Sequence, residues 1–331
     1  MRLRRLPLKG APPAARQSRL RGGRLGVRPL TVPLPRSPAA LLAACGAGFL
    51  WGTGALVVNL LIARHGFSPE NISFWRFVVG AAVLLAVFAR PGLWSAVRPH
   101  LLLVLGSGTC MALYVLCWFL GIERIGAAVP TLIALCLPPV LVTAVAVWRG
   151  QERLDRHLVA VVLVALGGTV ALVLRHGPAA STQASTINLM AGVLFSLASA
   201  MLYAGFTLVS GRLSIELGAG RATTCLTVVA AAVMGLTAFY QPLNWPQEVP
   251  PEAWLLYLGI VTAALALLAF SWGAARLTPT ALTLATLVEP LTAVLLAAWL
   301  LGESLSPLQW IGAVALLGSI WGLSRRSMEL R

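Results

Sequence analysis

Acidic residues are what this sequence has least of: ten Asp and Glu in 331 residues, and none before Glu70. Charged residues of both signs make up 11% of the chain, against about 25% in ordinary soluble domains. With 58% hydrophobic residues and a mean hydropathy of +0.85, a soluble domain is excluded and a polytopic membrane protein is expected. Metal-ligand patterns are missing too. Cys45, Cys110, Cys117, Cys136 and Cys225 all lie inside apolar runs and read as small buried hydrophobes, neither disulfides nor a zinc site. His65, His100, His157 and His176 sit near expected connections and form no cluster. No phosphate-binding glycine loop, HExxH pair or nucleophile elbow occurs, which argues against ATP-driven work by this chain alone and against an enzyme. No cofactor or metal is expected.

What charge there is lies at one end. The formal net charge is +15, and ten of the 25 basic residues precede residue 39. In a soluble protein such a surplus would point to nucleic acid; here it marks a tail. Residues 1–38 also hold seven prolines and read as a basic, disordered cytoplasmic tail resting on anionic lipid, with no nucleic-acid partner. A start codon assigned too early is the other reading of this tail, although the next methionine is Met111.

From residue 39 onward, apolar runs of bilayer-spanning length follow one another: 39–62, 71–89, 100–121, 126–148, 158–174, 188–210, 222–240, 254–274, 280–300 and 308–324. The fold expected is an all-α polytopic membrane protein with ten transmembrane helices. An even number puts both termini on one side. With the amino terminus inside, the inner segments carry 21 Arg and Lys and the outer ones 3, so both termini, including the 325–331 tail, are expected in the cytoplasm.

The ninth run, LTLATLVEPLTAVLLAAWLLGESL, carries Glu289 beside Pro290 at mid-depth. A charged group there costs about 2.5–3.5 kcal/mol on insertion scales, so it is expected to face a polar interior. Proline frees a main-chain carbonyl, tolerated in lipid only where protein or a water-lined cavity satisfies it. The competing reading of Glu289 is a structural carboxyl hydrogen-bonded to a neighbouring helix. Glu303, after Gly302 and before Ser304 and Pro307, reads as a cap in an interfacial turn.

The two halves repeat. Pro139, Ala146, Trp148, Glu152, Leu154 and Gly167 recur 151 residues later as Pro290, Ala297, Trp299, Glu303, Leu305 and Gly318. Upstream the offset is 152, pairing Gly121, Arg124 and Ile125 with Gly273, Arg276 and Leu277. Each copy, 39–174 and 188–324, holds five helices, an odd number, so the second enters the bilayer upside down. Two inverted five-helix repeats place a substrate site near the midplane between them.

Arg76 lies about five residues into the second run, roughly 8 Å deep. It reads either as a cation snorkelling to headgroups or as an interior anchor for a carboxylate or phosphate that pairs with Glu289 when the site is empty. Trp51, Thr53 and Asn59, Tyr114 and Trp118, Tyr203, and Ser271 and Trp272 are the polar and aromatic candidates for a cavity wall. Trp94, Trp148, Trp254, Trp299 and Trp310 read as interface anchors. Gly46, Gly48, Gly52 and Gly54 allow close helix approach.

Together, Trp51-Gly52, Phe74-Trp75-Arg76-Phe77, Pro139 with Glu152, Glu289-Pro290 with Gly302-Glu303, and Gly312 and Gly318 in the last run resemble the EamA-type branch of the drug/metabolite transporter superfamily. One departure is that Pro138 occupies the position matching Glu289. The resemblance implies a secondary transporter in the inner membrane, exporting a small metabolite such as an amino acid. Substrate and coupling residues would be Glu289, Pro290, Arg76, Trp51, Asn59, Tyr114, Trp118, Tyr203 and Trp272. Protons and membrane lipid are the further partners expected, and a homodimer is compatible; facilitated exchange or uniport of a metabolite or drug is the alternative mechanism, and a non-transporting membrane protein or intramembrane enzyme with a transporter-like fold is the alternative of another class.

Overall fold

The computed structural model describes residues 38–125, 128–173, 186–301 and 305–329. The tail through residue 37, the chain end at 330–331 and the cap assigned to Glu303 lie outside the described residues. The helices are α1 Pro38–His65, α2 Pro69–Phe88, a short α3 Leu93–Val97, α4 Leu101–Ile125, α5 Ala128–Trp148, α6 Arg156–Val173 and α7 Thr186–Leu217. They continue as α8 Ala219–Gly235, α9 Pro251–Tyr257, α10 Ala266–Ala274, α11 Pro279–Thr286, α12 Val288–Leu301 and α13 Pro307–Glu329. Among the described residues nine helical stretches are long and apolar enough to cross a bilayer, and Pro307–Leu323 is a shorter tenth. The ten-helix architecture expected from the sequence is the one formed.

Local sequence explains the starts. Ser68 accepts from Asn71 N–H at 3.3 Å and Thr278 accepts from Ala281 N–H at 3.2 Å, each followed by a proline whose missing donor costs nothing in a first helical turn. Two spans differ from the simple helices expected. The ninth is divided at Leu287 into α11 and α12, because Pro290 has no N–H for the carbonyl four residues back, that of Thr286. In the eighth, Leu258–Leu265 is a π-helix between α9 and α10, without a proline to announce it. The sixth runs seven residues beyond the expected 210, where Glu216 meets Arg212 at 2.9 Å and His100 at 3.0 Å.

The duplication is visible as contacts. Arg124 and Arg276 each donate to the carbonyl four residues earlier, Leu120 and Trp272, both at 2.9 Å. Gly121 lies against Gly192 and Ser196 of α7, while Gly273 lies against Ala40 and Ala44 of α1. Every member of the second set is 152 residues from its counterpart, so the two copies pack by the same rule with their partners exchanged. The halves interleave: α1 packs on α10, α11 and α12, and α7 on α4 and α5. The last helices of the two copies, α6 and α13, pair through mutual approach of Gly168 and Gly312, where an added methyl would meet the other glycine's carbonyl oxygen at 2.9 and 2.6 Å.

Trp94, Trp148, Trp299 and Trp310 are exposed near helix ends, and Trp254 is half-buried against the core. In α1, Gly48 and Gly52 face backbone of α11 and α12, whereas Gly46 has nothing within 4 Å of an added Cβ.

Candidate functional site

A partly open cavity lies among seven of the spans. Its lining residues are in the half of each span nearer Ser68 or at its middle: Trp51, Gly54, Ala55 and Val58 of α1, Arg76 of α2, Tyr114, Val115, Trp118 and Phe119 of α4, Ala134 and Leu135 of α5. The others are Ser199 and Tyr203 of α7, Leu258 and Thr262 of the π-helix, and Glu289. Neither α6 nor α13 reaches it.

Most polar atoms in this wall are already bonded to protein. Trp51 Nε1 donates to Thr262 O at 3.0 Å, Trp118 Nε1 to Thr131 Oγ1 at 3.3 Å, Ser199 Oγ to Tyr114 O at 2.7 Å and Thr262 Oγ1 to Leu258 O at 2.6 Å. The Tyr203 and Thr286 hydroxyls share a hydrogen bond of 3.3 Å. Two charged groups remain. Arg76 is buried, its Nε has no hydrogen-bond partner, and its nearest ring is Phe77, 5.6 Å away. Glu289 is half-buried in the first turn of α12. Among the described residues no ion pair within 4.0 Å joins them, so each presents its charge to the cavity unpaired.

The floor is aromatic. Phe206 and Phe270 stack at 5.5 Å with an interplanar angle of 14°, and both are fully buried. Trp51 abuts Phe270 at 5.5 Å, and Tyr114 abuts Tyr203 at 5.1 Å and Phe206 at 5.9 Å. Behind Glu289, α1 is pressed onto the interruption of the ninth span. A methyl on Gly48 would meet Thr286 O at 2.7 Å, and one on Gly52 would meet Glu289 O at 2.5 Å.

Of the sequence candidates, Glu289, Arg76, Trp51, Tyr114, Trp118 and Tyr203 come together around this cavity. Pro290 is buried beside it and shapes the break. Asn59 does not join: it lies on the exposed side of α1, one residue past the lining Val58. Trp272 does not join either, because it lies near the end of α10 with the Arg276 guanidinium 4.1 Å above its ring. Thr53 bonds the Tyr257 hydroxyl at 2.6 Å, and Ser271 is buried outside the lining. Val58, Ala134, Leu135 and the Phe206–Phe270 pair carry no signal in the sequence, since small and apolar residues look alike in a chain this apolar, whereas Gly54 makes the close approach its type suggests, against Thr262.

A profile of the EamA-like transporter family matches residues 38–174 and 190–325. The chain belongs to that family. The two matches fall on the two halves of this EamA-like transporter and leave the basic tail outside. An uncharacterized transporter of Bacillus subtilis (strain 168), YwfM, is 30% identical over 291 residues, covering 82% of this chain and 89% of its own. A solved crystal structure superposes with a TM-score of 0.71 at 24% identity, covering 88% of this chain and 99% of its own; at that identity the likeness concerns the fold alone. Fold and family together make this EamA-like protein a multi-pass membrane transporter.

Proposed function

We propose that this EamA-like transporter exports a small zwitterionic metabolite such as an amino acid across the inner membrane by alternating access, coupled to protons through Glu289. The observation that carries the reading is the pair of unpaired opposite charges, Arg76 and Glu289, in one otherwise apolar cavity. A zwitterion answers both. The planar guanidinium takes the carboxylate through two parallel N–H donors, and Glu289 takes the ammonium. A dianion or dication would leave one protein charge opposed. With the Ser68 end outward, as the distribution of Arg and Lys supports, the cavity of this state faces away from the cytoplasm. Its aromatic floor then separates the site from the cytoplasm, and rocking of one repeat against the other exchanges access.

Proton coupling follows from the same geometry. A carboxyl that binds substrate in one state and a proton in the other links the two fluxes. Glu289→Gln is expected to yield folded protein that loses proton flux in liposomes and binds an amino-acid substrate about 10- to 100-fold more weakly, the worth of a hydrogen bond to a charged group. Full proton-coupled transport by that variant removes the coupling role. Retained transport without proton movement in the wild type identifies an exchanger or uniporter instead.

A further inference from the structure

We propose that the double proline of α5 builds an ammonium-binding subsite from main-chain oxygens. In a helix the carbonyl of each residue accepts from the N–H four positions on. Pro138 and Pro139 have none, so the Ala134 and Leu135 carbonyls are released from the ladder. Leu135 is doubly deprived, because the residue three positions on, which would serve in a tighter turn, is Pro138. The ninth span meets its proline by breaking; α5 runs on through both of its prolines from Ala128 to Trp148.

Ala134 and Leu135 are the two residues of α5 that line the cavity. Among the described residues no side chain donates to either carbonyl. Thr131 Oγ1 accepts from Trp118, and Thr143 Oγ1 donates to Pro139 O at 2.6 Å. A carbonyl without a donor is tolerated at this depth only where a cavity supplies one. An ammonium group suits the task, since it carries three N–H donors and no acceptor.

The repeat sharpens the assignment. Pro138 occupies the position matching Glu289, and Pro139 the one matching Pro290. One half therefore offers a full negative charge at this register, and the other a pair of dipoles one helical turn earlier, at the positions matching Ala285 and Thr286. A second carboxylate would leave the cavity with an excess of negative charge over Arg76; carbonyls bind the ammonium without that excess. This subsite rests on the zwitterion reading above and extends it to a second set of acceptors.

The test uses full-length protein in lipid nanodiscs and titrates the twenty common L-amino acids. The tightest is followed by its decarboxylated amine and its deaminated acid. Pro139→Ala returns an N–H to the Leu135 carbonyl and restores a helical hydrogen bond, so the empty variant is expected to melt no lower than the wild type. It is expected to bind the amino acid and the amine about tenfold more weakly and the acid unchanged, as loss of one charged hydrogen bond predicts. Arg76→Gln is expected to do the reverse, sparing only the amine. Equal weakening of all three ligands by Pro139→Ala, as from a change of helix shape, overturns the subsite, and so does no change at all. If the wild type binds none of the twenty, the zwitterion reading fails and this inference with it; if it binds and only Pro139→Ala is silent, the inference alone fails.

Discussion

Replacing Gly52 with leucine is expected to abolish transport and to remove most folded protein from the membrane. The first atom added at this position would lie 2.5 Å from the Glu289 carbonyl oxygen and 2.6 Å from Thr292 Cβ, well inside contact distance. The obstacle is main chain of the first turn of α12, which cannot swing aside as a side chain can. Overpacking of a well-filled interior costs about 1–3 kcal/mol, occasionally more, and an immovable neighbour places this site at the upper end. Displacing α12 also displaces Glu289, so function is lost before stability is. Gly46→Leu, six residues earlier with open space around it, is the control and is expected to keep both. The comparison is made by yield of monodisperse protein, melting temperature and uptake into liposomes; similar behaviour of the two variants would show that the α1–α12 approach is not a constraint.

The second large effect concerns the closed side of the cavity. Gly54, which lines the open side, corresponds at the 152-residue register to Phe206, and Trp118 corresponds to Phe270. On one side the glycine packs closely against Thr262, where an added methyl would lie 2.7 Å from Cγ2; on the other two rings stack on each other. Truncating both rings, Phe206→Ala with Phe270→Ala, is expected to breach the floor. Its readout is a cysteine at Ser210, the counterpart of Val58 and fully buried beyond the rings, introduced after the five native cysteines are replaced. A membrane-impermeant maleimide applied at the open side is expected to label Val58→Cys in either background and Ser210→Cys only in the double truncation. Labelling of Ser210→Cys with both rings in place would show that they are no barrier. Each truncation costs about 3–5 kcal/mol, so labelling is scored on the folded fraction.

Much of this arrangement was legible in the chain. Span lengths, the charge imbalance between alternate connections and the lone mid-depth carboxylate each follow from what a bilayer core permits, and all ten helices form. The inverted repeat is readable from nine residue pairs because Pro, Gly and Arg have few substitutes at helix breaks and close contacts. The glycine pair at 121 and 273 shows why: each lies against the same two positions of the opposite copy's first helix. Asn59 was misplaced because a polar residue inside a span announces only that it is costly, not which way it turns; one step along the helix separates it from Val58. Trp272 lies outside the lining for a different reason, its ring lying under the guanidinium of Arg276. The π-helix over Leu258–Leu265 packs against α1 and α2 and has no proline to mark it. Apolar lining residues were invisible for the reason that made the spans visible: uniform hydrophobicity carries no address.

The placement of Arg76 and Glu289 in one cavity also has an electrical meaning. With the carboxyl ionised the two charges cancel, and a bound zwitterion adds none. Reorientation of such a carrier, empty or loaded, moves no net charge through the field across the membrane, which acts with about 2.3 kcal/mol per elementary charge per 100 mV. Voltage then bears on the cycle only through the proton that Glu289 carries on the leg without substrate, so the current recorded across a bilayer would count coupled protons and nothing else.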